Sequence, residues 1–228
     1  MIIGGFQKMT VLDFPGRVAC TIFTHGCNFK CPFCHNARLV TEKADLFDEK
    51  EILSYINKRN KILDGVVISG GEPMLQADLF DFMKKVKEAG LLIKLDTNGY
   101  FPEKLKEAID RGLVDYVAMD IKNCPEKYAL TAGLDSIDIS KIEKSIEILM
   151  TSGVDYEFRT TVTRELHSPD DFIKIGEWIK GAKKYYIQNF VDSGNLIANT
   201  SSPLDNKGLE ALLEAVLPYV PSASIRGS

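Results

Sequence analysis

Residues 24–36 read THGCNFKCPFCHN, placing Cys27, Cys31 and Cys34 in a C-x-x-x-C-x-x-C spacing directly after a β-branched run at 18–24. Thiols at this density are metal ligands or disulfide partners. The chain has five cysteines in 228 residues, an odd number with three of them clustered, unlike the even set of a disulfide framework. Metal ligation is the better reading. A structural zinc would need a fourth ligand from Cys20, His35 or Cys124, and zinc sites usually draw on a second cysteine pair that this sequence lacks. Cys20 lies inside the 18–24 run and, like Cys124, is expected to be a free buried cysteine. Electron-transfer clusters take four thiolates. Three thiolates on a four-iron cluster leave one iron open, and an open position signals chemistry at the metal, as it does for zinc.

Working outward from this stretch, short β-branched runs alternate with helix-like segments. Strands are expected at 18–24, 65–69, 91–96, 116–121, 156–162 and 185–190, and helices at 48–58, 76–89, 102–111, 139–152, 169–180 and 207–217. In the second helix Leu79, Phe80, Phe82, Met83 and Val86 supply an apolar face, and Gly90 follows at the stop. Before the fifth, Ser168 reads as the N-cap and Pro169 as the first helical residue, with Asp170 and Asp171 on the positive end of the dipole. The alternation is the pattern of βαβ units around a parallel sheet. It predicts one α/β domain over 1–228, a partial (β/α)6 TIM-like barrel. Ligands in that architecture gather where strands end. Cys27, Gly70-Gly71-Glu72-Pro73, Asp96-Thr97-Asn98-Gly99 and Asp120-Ile121-Lys122 each follow or close a strand, so all four fall on one rim. Segment 123–138 has no clear helix or strand signal and is expected to form part of its edge.

Composition narrows the partners. A formal net charge of −4 argues against nucleic acid as the main ligand, since phosphate binding relies on a basic surface. No apolar stretch approaches the roughly 18 residues needed to span a bilayer. The first residues lack the basic segment and long apolar run of a secretory signal. A cytoplasmic protein with no membrane partner is expected.

Each motif has a plainer alternative. Gly70-Gly71 after a strand is often only a tight turn, and Asp96-Thr97-Asn98-Gly99 is rich in turn formers. Asp120 and Lys122 flank an apolar residue, so both point to one face, where they either hold a ligand or pair with each other. His35-Asn36 could be loop polarity. Arg159 either contacts substrate or cofactor, or pairs with a carboxylate such as Glu157 or Asp120.

The run from Cys27 to Cys34, with aromatic Phe33 before the last cysteine, resembles the defining motif of the radical S-adenosylmethionine (SAM) enzymes. The resemblance implies a [4Fe–4S] cluster on Cys27, Cys31 and Cys34, whose open iron is chelated by the amino and carboxylate groups of SAM. It implies reductive cleavage of SAM to a 5′-deoxyadenosyl radical that abstracts a hydrogen atom. Gly70, Gly71 and Glu72 resemble the family's GGEP motif, which takes the cofactor's ammonium. Asp96, Thr97 and Asn98 match the DTNG of glycyl-radical activating enzymes, and His35 and Asn36 match their C-H-N sequence beside the adenosine. The same likeness gives Asp120 to the amino or ribose groups and Lys122 to the carboxylate.

GGFQKMTVLDFPG near the start and DYVAMDIKN at the fourth strand resemble the activating proteins of anaerobic ribonucleoside-triphosphate reductases, and also the related pyruvate formate-lyase activating enzymes. Such proteins abstract hydrogen from one glycine of a large glycyl-radical enzyme and take electrons from flavodoxin or ferredoxin. Relatives with a ferredoxin-like insert need about eight more thiolates, which five cysteines cannot supply. Pyruvate formate-lyase activases place a histidine after the sixth strand, and here Tyr185-Tyr186-Ile187-Gln188-Asn189-Phe190 has none, which favours the reductase. A radical enzyme acting on a small metabolite, and a metal-binding module without catalysis, are the rival classes.

Overall fold

Side-chain alternation along the strands decides how the molecule is layered. The computed structural model describes residues 1–41, 46–192 and 194–227. In chain order it contains β1 (Ile3–Thr10), β2 (Ala19–Thr24), α1 (Ala37–Thr41), α2 (Glu49–Arg59), β3 (Gly65–Gly70), α3 (Leu79–Glu88), β4 (Leu92–Thr97) and α4 (Pro102–Asp110). There follow β5 (Tyr116–Asp120), α5 (Tyr128–Ala132), α6 (Ile139–Thr151), β6 (Asp155–Val162), α7 (Pro169–Trp178), β7 (Tyr185–Asn189), α8 (Asn206–Val216) and β8 (Ala223–Arg226). The strands form one sheet in sequence order, parallel from β2 to β8, with β1 antiparallel on β2.

Residues of one parity, such as Ile22, Ile68, Leu95, Met119 and Phe158, are fully buried in the main core. The other parity faces inward. There Ala19, Val67 and Tyr116 pack with Phe14 in a small apolar cluster, while Ser69, Asp96, Asp120 and Arg159 of the same parity line a cavity at the strand ends. Cys20 has the outward parity and is completely buried, which removes it from the ligand set. The expected helix stops and caps form: Ser168 and Asp171 make a reciprocal capping box at the start of α7, with Pro169 in its first turn.

Two expectations are corrected. The sheet has eight strands rather than six, and β1 and β8 are its two edges, so the barrel is partial. Segment 123–138 is not irregular throughout, since α5 and the single turn Pro125–Lys127 lie within it. Gly133 ends α5 in the left-handed conformation, φ 69°.

Candidate functional site

The loop after β2 is held on both sides. The Lys30 amide donates to the Ala132 carbonyl at 2.8 Å, and the Ala198 amide donates to the Pro32 carbonyl at 3.1 Å. Phe29 and Phe33 are buried beneath it, Phe29 edge-on to Tyr100 and Tyr128. Cys31 is buried, Cys27 and Cys34 are half-buried, and all three line one open cavity of about 940 Å³, mouth included. Burial pushes the thiols up, Cys27 to about 12 and Cys31 to about 11, so ligation displaces thiol protons. The Phe29 amide already donates to Cys27 Sγ at 3.3 Å.

Glycines bring the next loop close. A Cβ on Gly71 would sit 1.9 Å from the Gly26 carbonyl oxygen, and one on Gly70, at φ 115°, would sit 2.3 Å from the Thr24 amide. That approach lets the Gly71 amide donate to Thr24 (2.9 Å) and the Glu72 amide to Gly26 (2.8 Å), tying β3's turn to the residue before Cys27. Asn36 Nδ2 donates to the Gly70 carbonyl at 3.1 Å, and His35 stacks on Phe190.

The cavity wall on β4–β6 is a chain of charges. Asp120 and Arg159 are register partners on parallel neighbours, and Arg159 Nε reaches Asp120 Oδ1 at 2.9 Å, while its Nη1 reaches Asp96 at 3.5 Å. Lys122 pairs with Asp120 at 3.0 Å, Lys94 with Asp96 at 2.5 Å, and Ser69 donates to Asp96. Burial alone would raise Asp120, but Arg159 and Lys122 outweigh it and hold the carboxyl down at about 2. Lys122 is driven above its ordinary range by Asp120, again against burial. Three cations thus face two carboxylates, leaving one positive charge for an anionic ligand group.

The expected site residues all line this cavity except Glu72. Its carboxylate is wholly buried and accepts from the Asn98 amide (2.7 Å), the Met74 amide (3.0 Å) and the Thr97 hydroxyl (2.8 Å). Burial pushes its carboxyl up to about 7 in spite of those bonds. Glu72 therefore joins the β3 and β4 loops instead of facing a ligand. Arg159 pairs with Asp120 and Asp96 and not with Glu157, which goes to Arg226 and Tyr116. Phe29, Val40, Ser69, Thr161 and Gln188 also line the cavity. Parity was the available signal, since Ser69, Thr161 and Gln188 lie two residues from Val67, Arg159 and Tyr186.

Among the described residues no three His, Cys, Asp or Glu side chains are grouped to hold a metal ion. The three thiols share a cavity without gathering round one point, as a zinc about 2.3 Å from each sulfur would demand. That arrangement, with a roomy cavity and a surplus cation beside it, fits a multi-iron cluster carrying a zwitterionic ligand.

Residues 21–179 match the Radical SAM superfamily. The chain belongs to the radical SAM superfamily. Enzymes of this superfamily use a [4Fe–4S] cluster and SAM. A Methanocaldococcus jannaschii protein provisionally named a glycyl-radical enzyme activating enzyme is 35% identical over 193 residues, covering 83% of this chain and 80% of its own. This radical SAM enzyme is thereby placed in the activating-enzyme family. The pyruvate formate-lyase-activating enzyme of Listeria monocytogenes is 34% identical over 138 residues, 54% of each chain. Among solved structures, Streptococcus suis SuiB bound to its precursor peptide SuiA superposes with a TM-score of 0.69 at 17% identity, over 91% of this chain and 48% of SuiB. The radical SAM fold is what that likeness shows; this chain spans about half of SuiB's length. No helix among the described residues is long and apolar enough to cross a membrane.

Proposed function

We propose that this protein activates an anaerobic ribonucleoside-triphosphate reductase by placing a radical on one of its glycines. The observation that carries the reading is that the three thiols, the Gly70-Gly71 turn and the Lys122–Asp120–Arg159 charges meet on one open cavity. Cys27, Cys31 and Cys34 would hold the cluster. Lys122, with Arg159 behind it, would take the carboxylate of SAM, and the carbonyls of the Gly70-Gly71 turn its ammonium. His35 and Asn36, which line the same cavity, would flank the adenosine, and Asp120 would meet the amino or ribose groups. When bound, the cluster and SAM would supply one-electron reductive cleavage of SAM and, through it, removal of a hydrogen atom from the glycine Cα. The electron would come from flavodoxin or ferredoxin.

The reductase is favoured by the resemblance of GGFQKMTVLDFPG and DYVAMDIKN to its activators, and by β7, where Gln188 rather than a histidine lines the cavity. Pyruvate formate-lyase is the second reading, supported by the identity to the Listeria enzyme. Anaerobic mixing of reconstituted protein, reductant, SAM and candidate reductase should give 5′-deoxyadenosine and a glycyl doublet by electron paramagnetic resonance. A doublet with pyruvate formate-lyase alone would reassign the partner. SAM cleavage with no doublet on either would point to a small substrate.

A further inference from the structure

The turn that carries Lys122 is fastened at three successive carbonyls by three side chains from different segments. The Asp120 carbonyl accepts from the Tyr128 hydroxyl on α5 at 3.3 Å, and the Ile121 carbonyl from the Thr160 hydroxyl on β6 at 2.7 Å. His167, in the connection between β6 and α7, meets the Lys122 carbonyl through Nε2 at 2.9 Å. Its other nitrogen, Nδ1, accepts from the Thr163 amide at 3.1 Å. An amide can only donate and a carbonyl can only accept, so the ring must be neutral with its proton on Nε2. The same ring lies edge-on to Phe33, with centroids 6.4 Å apart, and to Phe172 at 6.3 Å. His167 is buried and does not line the cavity, so it touches no ligand there. Burial holds its pKa below the ordinary value. Of the charged groups facing it, Asp171 opposes that shift and Lys127 adds to it.

We propose that His167 is a positioning residue for SAM. It fixes the backbone of Lys122, and with it the direction of the ammonium, while bracing Phe33 next to the last cluster cysteine. The proposal rests on the reading that Lys122 binds the cofactor. Its physical basis is preorganisation: a long, flexible lysine holds a carboxylate well only if its own Cα is fixed, and no other described side chain holds the Lys122 carbonyl. A merely structural histidine would tie the 163–171 turn and affect stability alone.

The test uses anaerobically reconstituted protein and SAM itself as the probe, read by equilibrium dialysis. His167→Leu should keep its iron and sulfide while the Kd for SAM rises about tenfold or more, the size of one lost charge-assisted hydrogen bond. His167→Gln, which keeps a donor near the Nε2 position, should recover most of the affinity. In a Lys122→Ala background the His167→Leu change should cost little, because two residues acting through one contact are not additive. Wild-type affinity in His167→Leu with a lowered melting temperature would make the residue structural only, and an additive cycle would break the link to Lys122. Unchanged affinity in Lys122→Ala alone would instead sink the cofactor reading of Lys122. If His167→Leu does not fold, His167→Asn, whose shorter side chain falls short of the Lys122 carbonyl, is read in the same dialysis: weakened SAM binding with iron retained supports the proposal, and wild-type affinity, or an imidazole proton on Nδ1 in the wild type, overturns it.

Discussion

Lys122 sits beside a carboxylate that has a second cation. In the structure it pairs with Asp120, yet Asp120 also has Arg159 at 2.9 Å, so removing Lys122 leaves no orphaned carboxylate. Lys122→Ala should therefore cost little stability and keep the cluster, while SAM binding weakens by about 1.5–3 kcal/mol, as for loss of one hydrogen bond to a charged group. Unchanged affinity with a lower melting temperature would make the pair structural. The cysteines separate as sharply by position. Cys20 points outward from β2 into the helix-packed core, and Cys124 Sγ is buried at 3.6 Å from Asp171 Oδ1. Alanine at either should leave iron content unchanged, whereas alanine at Cys27, Cys31 or Cys34 should abolish it. The clustering of three of the five and the strand placement of Cys20 are legible in the sequence because both are local properties. The burial of Lys94, only 3% exposed on Asp96, is not, since its partner's own position depends on a neighbouring strand.

The loops after β3 and β4 act as one unit because Glu72 bonds across them and the glycine turn docks on the residues before Cys27. Gly71→Ala would drive a Cβ into the Gly26 carbonyl, backbone against backbone, with no flexible side chain to yield. The expected outcome is lower iron incorporation and a lowered melting temperature, measured by iron assay and thermal denaturation after anaerobic reconstitution; wild-type incorporation would show that the turn can shift without disturbing Cys27. The sequence announces that a loop stands here but not what Glu72 does in it. A carboxylate beside a glycine pair reads as ligand-facing, and only the approach of Thr97 and Asn98 from the next unit turns it inward. The central strands are legible because their β-branched runs are bounded by turn formers. β1 is not, since Gly4-Gly5 and Gln7-Lys8 break its pattern, and β8 is four residues, too short for any period to register.

An open sheet must hold its last strand by side chains as well as by its ladder. Among the described residues β8 pairs only with β7, and Arg226 near its end reaches Glu157 on β6 through two bonds, 2.7 and 2.8 Å, while stacking on Tyr186. Glu157 is 1% exposed and also accepts from the Tyr116 hydroxyl. Burial would raise its carboxyl, but Arg226, with the charge of Arg159 and the Tyr116 hydroxyl, outweighs it, so the folded pKa lies below the ordinary one. The folded state then binds fewer protons than the unfolded chain as the medium turns acidic. The stability from this pair is present above the unfolded carboxylate pKa, about 4.3, and is lost as pH falls through the folded value. Removing Arg226 from a fully buried pair would cost about 3–5 kcal/mol; Arg226 keeps 35% of its side chain exposed, so Arg226→Ala should cost less. Urea melts at pH 7 should show that loss, and hydrogen exchange should show β8 amides opening first. Glu157→Gln should flatten the decline of stability between neutral and acid pH. Arg226→Ala with wild-type stability and β8 protection would mean that the strand is held by its ladder alone.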